Sequence, residues 1–187
     1  MATSRFDRWS GLAALVGGAL WVVAFAVNAW RSSAEGSDAL YVSLHGLGVV
    51  GLLSVLLVAV GFVGLDMHMP SGPGAGYGTL GRAGYGVALL GLLVMLLVSG
   101  ASGVIGMLGV FILMVGSLLV GAAALLRRVI PRWGAIVLIV GSLLLLMFST
   151  EGFRAWFGVP YGAAWIAVGY LLYSGRTGQV QAATRVS

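Results

Sequence analysis

The chain has 187 residues, 60% of them apolar and 8% charged; its ten basic residues are all arginine, and the formal net charge is +5. A soluble domain carries about 25% charged residues, so this chain lacks the charge to coat a water-facing surface, and lipid is the expected outer solvent. With no cysteine, disulfides, thiolate nucleophiles and Cys-ligated metals are excluded.

In lipid the backbone must satisfy its own hydrogen bonds, which leaves a helical bundle or a closed barrel. The apolar blocks are long and continuous and do not alternate with period two, which argues against the barrel. The expected fold is therefore all-α: a polytopic transmembrane helical bundle with six spans in one transmembrane domain over residues 1–187.

Residues 1–10 are polar, with Arg5 and Arg8 flanking Asp7 and an interfacial Trp9. The first span, 11–30, suffices to cross roughly 30 Å of hydrocarbon. Ala24-Phe25-Ala26 resembles a signal cleavage site, but the apolar region exceeds the roughly 7–15 residues of a signal peptide, so it is read as a retained anchor. A polar loop holding Arg31, Glu35 and Asp38 leads to a second span at 40–65, bracketed by His45 and His68. The stretch 69–82, with Pro70, Pro73 and many glycines, is expected to be a loop.

Span three covers 83–98, and an uncharged turn at 99–103 leads to span four at 104–126. Arg127-Arg128-Val129-Ile130-Pro131-Arg132-Trp133 then separates two long apolar blocks, with Pro131 placed to end one helix or open the next. Span five covers 133–149. An aromatic turn through Glu151 and Arg154 leads to span six at 156–173, where Trp156, Tyr161, Tyr170 and Tyr173 are read as interfacial belt residues. The tail, 174–187, is polar.

Six spans put both termini on one side, and the charges choose which. With the termini cytoplasmic, Arg5, Arg8, Arg82, Arg127, Arg128, Arg132, Arg176 and Arg185 lie inside and only Arg31 and Arg154 outside, as the positive-inside rule requires. Arg127, Arg128 and Arg132 form the main topology anchor.

The 31 glycines far exceed the usual background of about 7%. Lipid gives no hydrophobic drive for helix association, so close approach through small residues supplies it. Gly100, Gly103, Gly106 and Gly109 are the predicted packing series, forming an interface within the chain or a surface for another subunit. An internal echo links Arg8-Trp9 and the Val-Gly-rich run after it to Arg132-Trp133 and Val140-Gly141, matching helix one to helix five, and is read as low-complexity similarity in preference to a duplicated three-helix unit.

Chemical motifs are few. Gly76-Tyr-Gly78-Thr-Leu-Gly81 matches the dinucleotide fingerprint by letter, without the βαβ unit that the fingerprint requires. His45 and His68 stand at opposite ends of one span, about 34 Å apart along a helix, and cannot share a haem within a monomer. Met67, His68 and Met69 are soft enough for Cu(I) and are the candidate metal cluster, although an interfacial helix end is the preferred reading. Asn28, Arg31, Asp38, His45, Glu151 and Arg154 could line a polar vestibule on the outer face.

No ionisable residue is expected at mid-membrane, where proton relays and ion pathways place them, and no catalytic set is visible. The chain is thus expected to be non-enzymatic, with no cofactor, as a structural or accessory subunit of a membrane complex. A passive pore or carrier for a small apolar or lipid-like molecule is the alternative, and a haem- or metal-binding electron carrier the second. Expected partners are the lipid bilayer and other membrane subunits or a second copy, and not nucleic acid. The expected location is the cell membrane, of the bacterial inner-membrane kind.

Overall fold

The computed structural model describes residues 5–35, 48–67, 76–97, 103–147 and 152–175. Six α-helices carry nearly all of them: α1 (Arg5–Glu35), α2 (Gly48–Met67), α3 (Gly76–Leu97), α4 (Gly103–Arg127), α5 (Arg132–Leu144) and α6 (Val159–Tyr173). A 3₁₀ turn, Leu145–Met147, continues α5, and another, Gly152–Gly158, leads into α6. The described residues contain no strand, and the fold is all-α.

Four stretches are long and apolar enough to cross a membrane: Arg8–Trp30, Val50–Met67, Thr79–Leu97 and Met107–Arg127. Arg132–Met147 is apolar but shorter, and α6 has 15 residues. These dimensions suit a multi-pass membrane protein. Leu52, Leu56, Leu93, Phe111, Ile136 and Val140 accordingly stand exposed on the outside of the bundle.

Each helix packs on its neighbours in sequence, and α6 returns to pack along α1, so the six form a ring. The seam between α1 and α6 is set by glycines seven residues apart on both helices. A Cβ at Gly18 would lie 2.6 Å from the Gly162 carbonyl oxygen, and one at Gly169 would lie 2.7 Å from the Gly11 oxygen. These pairs, Gly11 with Gly169 and Gly18 with Gly162, run the two helices antiparallel. The α3–α4 seam repeats the device: a Cβ at Gly91 would lie 2.9 Å from the Gly109 oxygen, and one at Gly84 3.0 Å from the Gly116 oxygen. Backbones this close trade side-chain volume for van der Waals contact, the main source of helix association in lipid.

The α1–α2 seam is tied by a hydrogen bond as well. Ser54 Oγ donates to the Gly17 carbonyl oxygen at 2.9 Å, while Gly61 packs on Ala14 and Gly64 on Ser10. Ser10 and Ser54 are fully buried.

One detail departs from the sequence expectations. The glycine-rich loop was expected to extend to residue 82, yet α3 begins at Gly76. The two prolines lie before that point, and beyond it the chain becomes a packing surface: Gly81 is buried, Leu80 joins the core and Gly84 meets α4. The seven-residue glycine spacing of Gly11 and Gly18 in α1 recurs as Gly109 and Gly116 in α4.

The turn from α4 to α5 is tightly specified. The Val129 N–H donates to the Ala124 carbonyl oxygen at 3.1 Å and the Arg128 N–H to the Leu125 oxygen at 3.4 Å, the pair of bonds of a Schellman cap. Arg128 occupies its left-handed position, with φ 53°, where glycine is favoured; a side chain there costs about 1 kcal/mol or more. Val129 and Ile130 are buried against the bundle. Pro131 precedes α5 with φ −50° and ψ 141°, and its carbonyl oxygen accepts from the Gly134 N–H at 2.9 Å.

Candidate functional site

The interior of the ring holds a column of aromatic side chains. Trp21 and Phe25 of α1 stack at 4.9 Å, and Trp21 meets the edge of Tyr161 at 5.3 Å. Tyr161 lies 6.4 Å from Trp165 on the next turn of α6, and Trp165 meets Phe62 of α2 at 4.3 Å. The Trp21 indole N–H donates to the Gly158 carbonyl oxygen at 3.1 Å, which fixes the entry to α6. Tyr161 and Trp165 have no exposed surface.

A buried hydroxyl contact joins α6 to α4 in this interior. The Tyr161 hydroxyl and Ser117 Oγ of α4 lie 2.9 Å apart, sharing a hydrogen bond in which either can donate. Ser142 of α5 turns back on its own helix, donating to the Leu138 oxygen at 2.7 Å. Leu113, Val120, Leu138 and Val168 belong to the same core cluster as the tyrosine, with no exposed surface or almost none. The described core is thus built of buried apolar and aromatic side chains, and it holds a buried hydroxyl pair between α4 and α6. Tyr161, expected at the membrane interface, lies in this core, whereas Trp156, Tyr170 and Tyr173 are exposed.

The antiparallel pairings also decide which helix ends share a face. The start of α1 lies against the end of α6 and the end of α2, through Gly11 with Tyr173 and Gly64 with Ser10. The start of α5 meets the end of α6, through Gly134 with Leu171, and the start of α3 meets the end of α4, through Gly84 with Val120. Arg8, Arg82, Arg127, Arg128 and Arg132 therefore gather at one end of the bundle, together with Asp66. Arg128 and Arg132 are exposed there and Arg127 is half-buried. Arg154, also exposed, belongs to the opposite end.

The expected outer vestibule is only partly in view. Asn28 is buried in α1, Arg31 lies near the end of the same helix, and Arg154 sits in the 3₁₀ turn before α6. Asp38, His45 and Glu151 lie outside the described residues, so the vestibule is not assembled from what is described. Of the candidate metal cluster, Met67 ends α2 with an exposed side chain; His68 and Met69 lie outside the described residues. Among the described residues, no group of three or more His, Cys, Asp or Glu could hold a metal ion.

In the predicted packing series, Gly109 lies on the α3–α4 seam, where a Cβ would meet Met95 Cγ at 2.8 Å. Gly103 and Gly106 fall in the first turns of α4, and Gly100 lies outside the described residues. The seam residues that sequence reasoning missed, Gly11, Gly18, Gly84, Gly91, Gly162 and Gly169, share a seven-residue spacing. That spacing was the available signal. The core stripe Tyr161, Trp165, Val168 and Leu172, at helical intervals, was equally legible.

Comparison with protein families, curated proteins and solved structures finds no match to this chain.

Proposed function

We propose that this is a non-enzymatic membrane protein acting as a structural or accessory subunit, built as six membrane-crossing helices with both chain ends on the cytoplasmic side. The observation that carries the functional reading is the filled interior. A pore needs a water-lined path and a carrier needs a cavity between helices. Here Trp21, Tyr161, Trp165 and Phe62 are buried against one another between α1, α2 and α6, beside seams whose backbones approach closely.

Support for six crossings comes from register. α6 lies along α1 from the Gly18–Gly162 contact to that of Gly11 with Tyr173, so it shares the depth of a helix long enough to span. α5 in turn lies along α6, from Gly134 at Leu171 to Gly141 at Pro160. Orientation is supported by the arginines, which gather at the end of the bundle holding the start of α1 and the end of α6, where the positive-inside rule puts cytoplasmic ends.

Two experiments test this. Purification in mild detergent with prior crosslinking is expected to recover another membrane subunit or a second copy; a clean monomer would sink the accessory reading. Because the chain has no cysteine, Arg128→Cys and Arg154→Cys can be labelled singly in intact cells. An impermeant maleimide is expected to reach only Arg154→Cys, and labelling of Arg128→Cys would overturn the orientation.

A further inference from the structure

We propose that the α4–α5 turn is a binding site for an acidic phospholipid, its phosphate held by Arg128 and Arg132 and its acyl chains laid on the outer face of α5. The orientation of the turn rests on the reading above; the affinity does not.

Three features of the turn converge on this ligand. The first is rigidity: Val129 and Ile130 are buried, the two capping bonds close the turn and Pro131 fixes the entry to α5. The flanking arginines are therefore presented from a defined backbone, which lowers the ordering cost of binding.

The second is the placement of Arg128. Its left-handed φ of 53° is one that glycine adopts freely, so the backbone geometry gives no reason for arginine. Neither does packing, since its side chain is exposed. Guanidinium groups recognise phosphate through paired N–H donors, and two of them four residues apart, across the turn, suit a phosphodiester.

The third lies directly beyond the charge. Trp133, Ile136, Val140 and Leu143 are all exposed large apolar residues and recur at helical spacing along α5. They form an apolar track that starts at the arginines and runs toward the opposite end of the bundle, with Trp133 at the headgroup level that indole favours. A charged end above an apolar stripe matches a lipid and gives free phosphate no use for the stripe. A zwitterionic headgroup would bring its own cation to a face already holding Arg8, Arg82 and Arg127, so an acidic lipid is preferred.

The test uses the purified full chain in neutral detergent, titrated with dioleoyl phosphatidylglycerol, with phosphatidylcholine and inorganic phosphate as separate arms, and read by native mass spectrometry. Phosphatidylglycerol is expected to bind at least about tenfold tighter than phosphatidylcholine, on the scale of two arginines near an acidic headgroup. Arg128→Gly and Arg132→Gln should each weaken it about fivefold, while Arg8→Gln changes it less than about twofold. Arg128→Gly suits the backbone better than the parent residue, so its thermal stability without lipid should not fall, which separates lost binding from lost folding. Unchanged affinity in both turn variants, equal binding of phosphatidylcholine, or competition by inorganic phosphate alone would each overturn the proposal. Labelling of Arg128→Cys from outside the cell would instead overturn the orientation and leave these affinities standing.

Discussion

Replacing Gly18 by alanine tests whether backbone contact holds the bundle together. The new Cβ would lie 2.6 Å from the Gly162 carbonyl oxygen, 2.8 Å from the Ile166 nitrogen and 3.0 Å from Trp165 Cβ, where ordinary contact begins at 3.4 Å. The first two are backbone atoms of α6 and cannot turn aside, so the helices must part locally by about 0.8 Å (3.4 − 2.6). Overpacking of this kind costs about 1–3 kcal/mol. Alanine also gains up to about 1 kcal/mol of helix propensity over glycine, which would mask part of the loss. Gly51→Ala provides the control, because a Cβ there meets nothing within 4 Å and gains the same propensity. The difference in unfolding free energy between the two variants therefore isolates packing, and Gly18→Ala should be the less stable by about 1–3 kcal/mol. Reversible unfolding in mixed micelles, followed by tryptophan fluorescence, measures it. Equal stability of the two variants would refute the claim that the α1–α6 seam is limited by backbone contact.

Other perturbations separate the remaining contributions. Tyr161→Phe and Ser117→Ala each remove the same interhelical hydrogen bond and should cost about 0.6–1.7 kcal/mol; the double variant should cost little more than the worse single one, and full additivity would show that the hydroxyls act apart. Trp165→Ala should cost about 3–5 kcal/mol, since it opens a cavity in a filled interior, whereas Leu93→Ala on the exposed face should stay within about 0.5 kcal/mol; the same unfolding assay ranks them, and a reversed order would place Trp165 outside the core. Gly158→Ala should cost about 1–3 kcal/mol, because its Cβ would press on the Phe25 ring that stacks on Trp21; an unchanged tryptophan emission spectrum would count against that displacement.

The class of the molecule was legible because it depends on totals. Too few charges and long apolar blocks require helices in lipid wherever the helices pack. The α4–α5 turn was also largely legible, since Pro131 and the arginines act locally; the left-handed Arg128 was not, because glycine is the usual signal for that position. Packing was harder to read. With so many glycines, spacing of three around Gly100–Gly109 looked as informative as spacing of seven, and only the fold tells which glycines face a neighbour. Tyr161 was misplaced for a related reason. A tyrosine near a helix start fits an interfacial belt, and the partner that draws it inward, Ser117, is 44 residues away. The end of the glycine-rich loop was set too late because glycine breaks helices in water, while in the membrane it lets them approach.

The seams also bear on the choice between a static subunit and a carrier. Gly11 and Gly18 of α1 correspond in spacing to Gly109 and Gly116 of α4, and Gly84 and Gly91 of α3 to Gly162 and Gly169 of α6. Paired in this way, α1–α3 and α4–α6 are two three-helix halves whose matching helices run in opposite directions, an arrangement that in transporters lets one half rock against the other. Rocking needs an interface between halves that can open. In this chain both seven-spaced glycine seams, α1 with α6 and α3 with α4, run between the halves, whereas the Tyr161–Ser117 hydroxyl pair joins α6 to α4 within one half. Opening either seam would forfeit the close backbone contacts at both of its glycine pairs. The same glycine repeat that resembles carrier architecture in outline therefore locks the halves together, and it favours the static role.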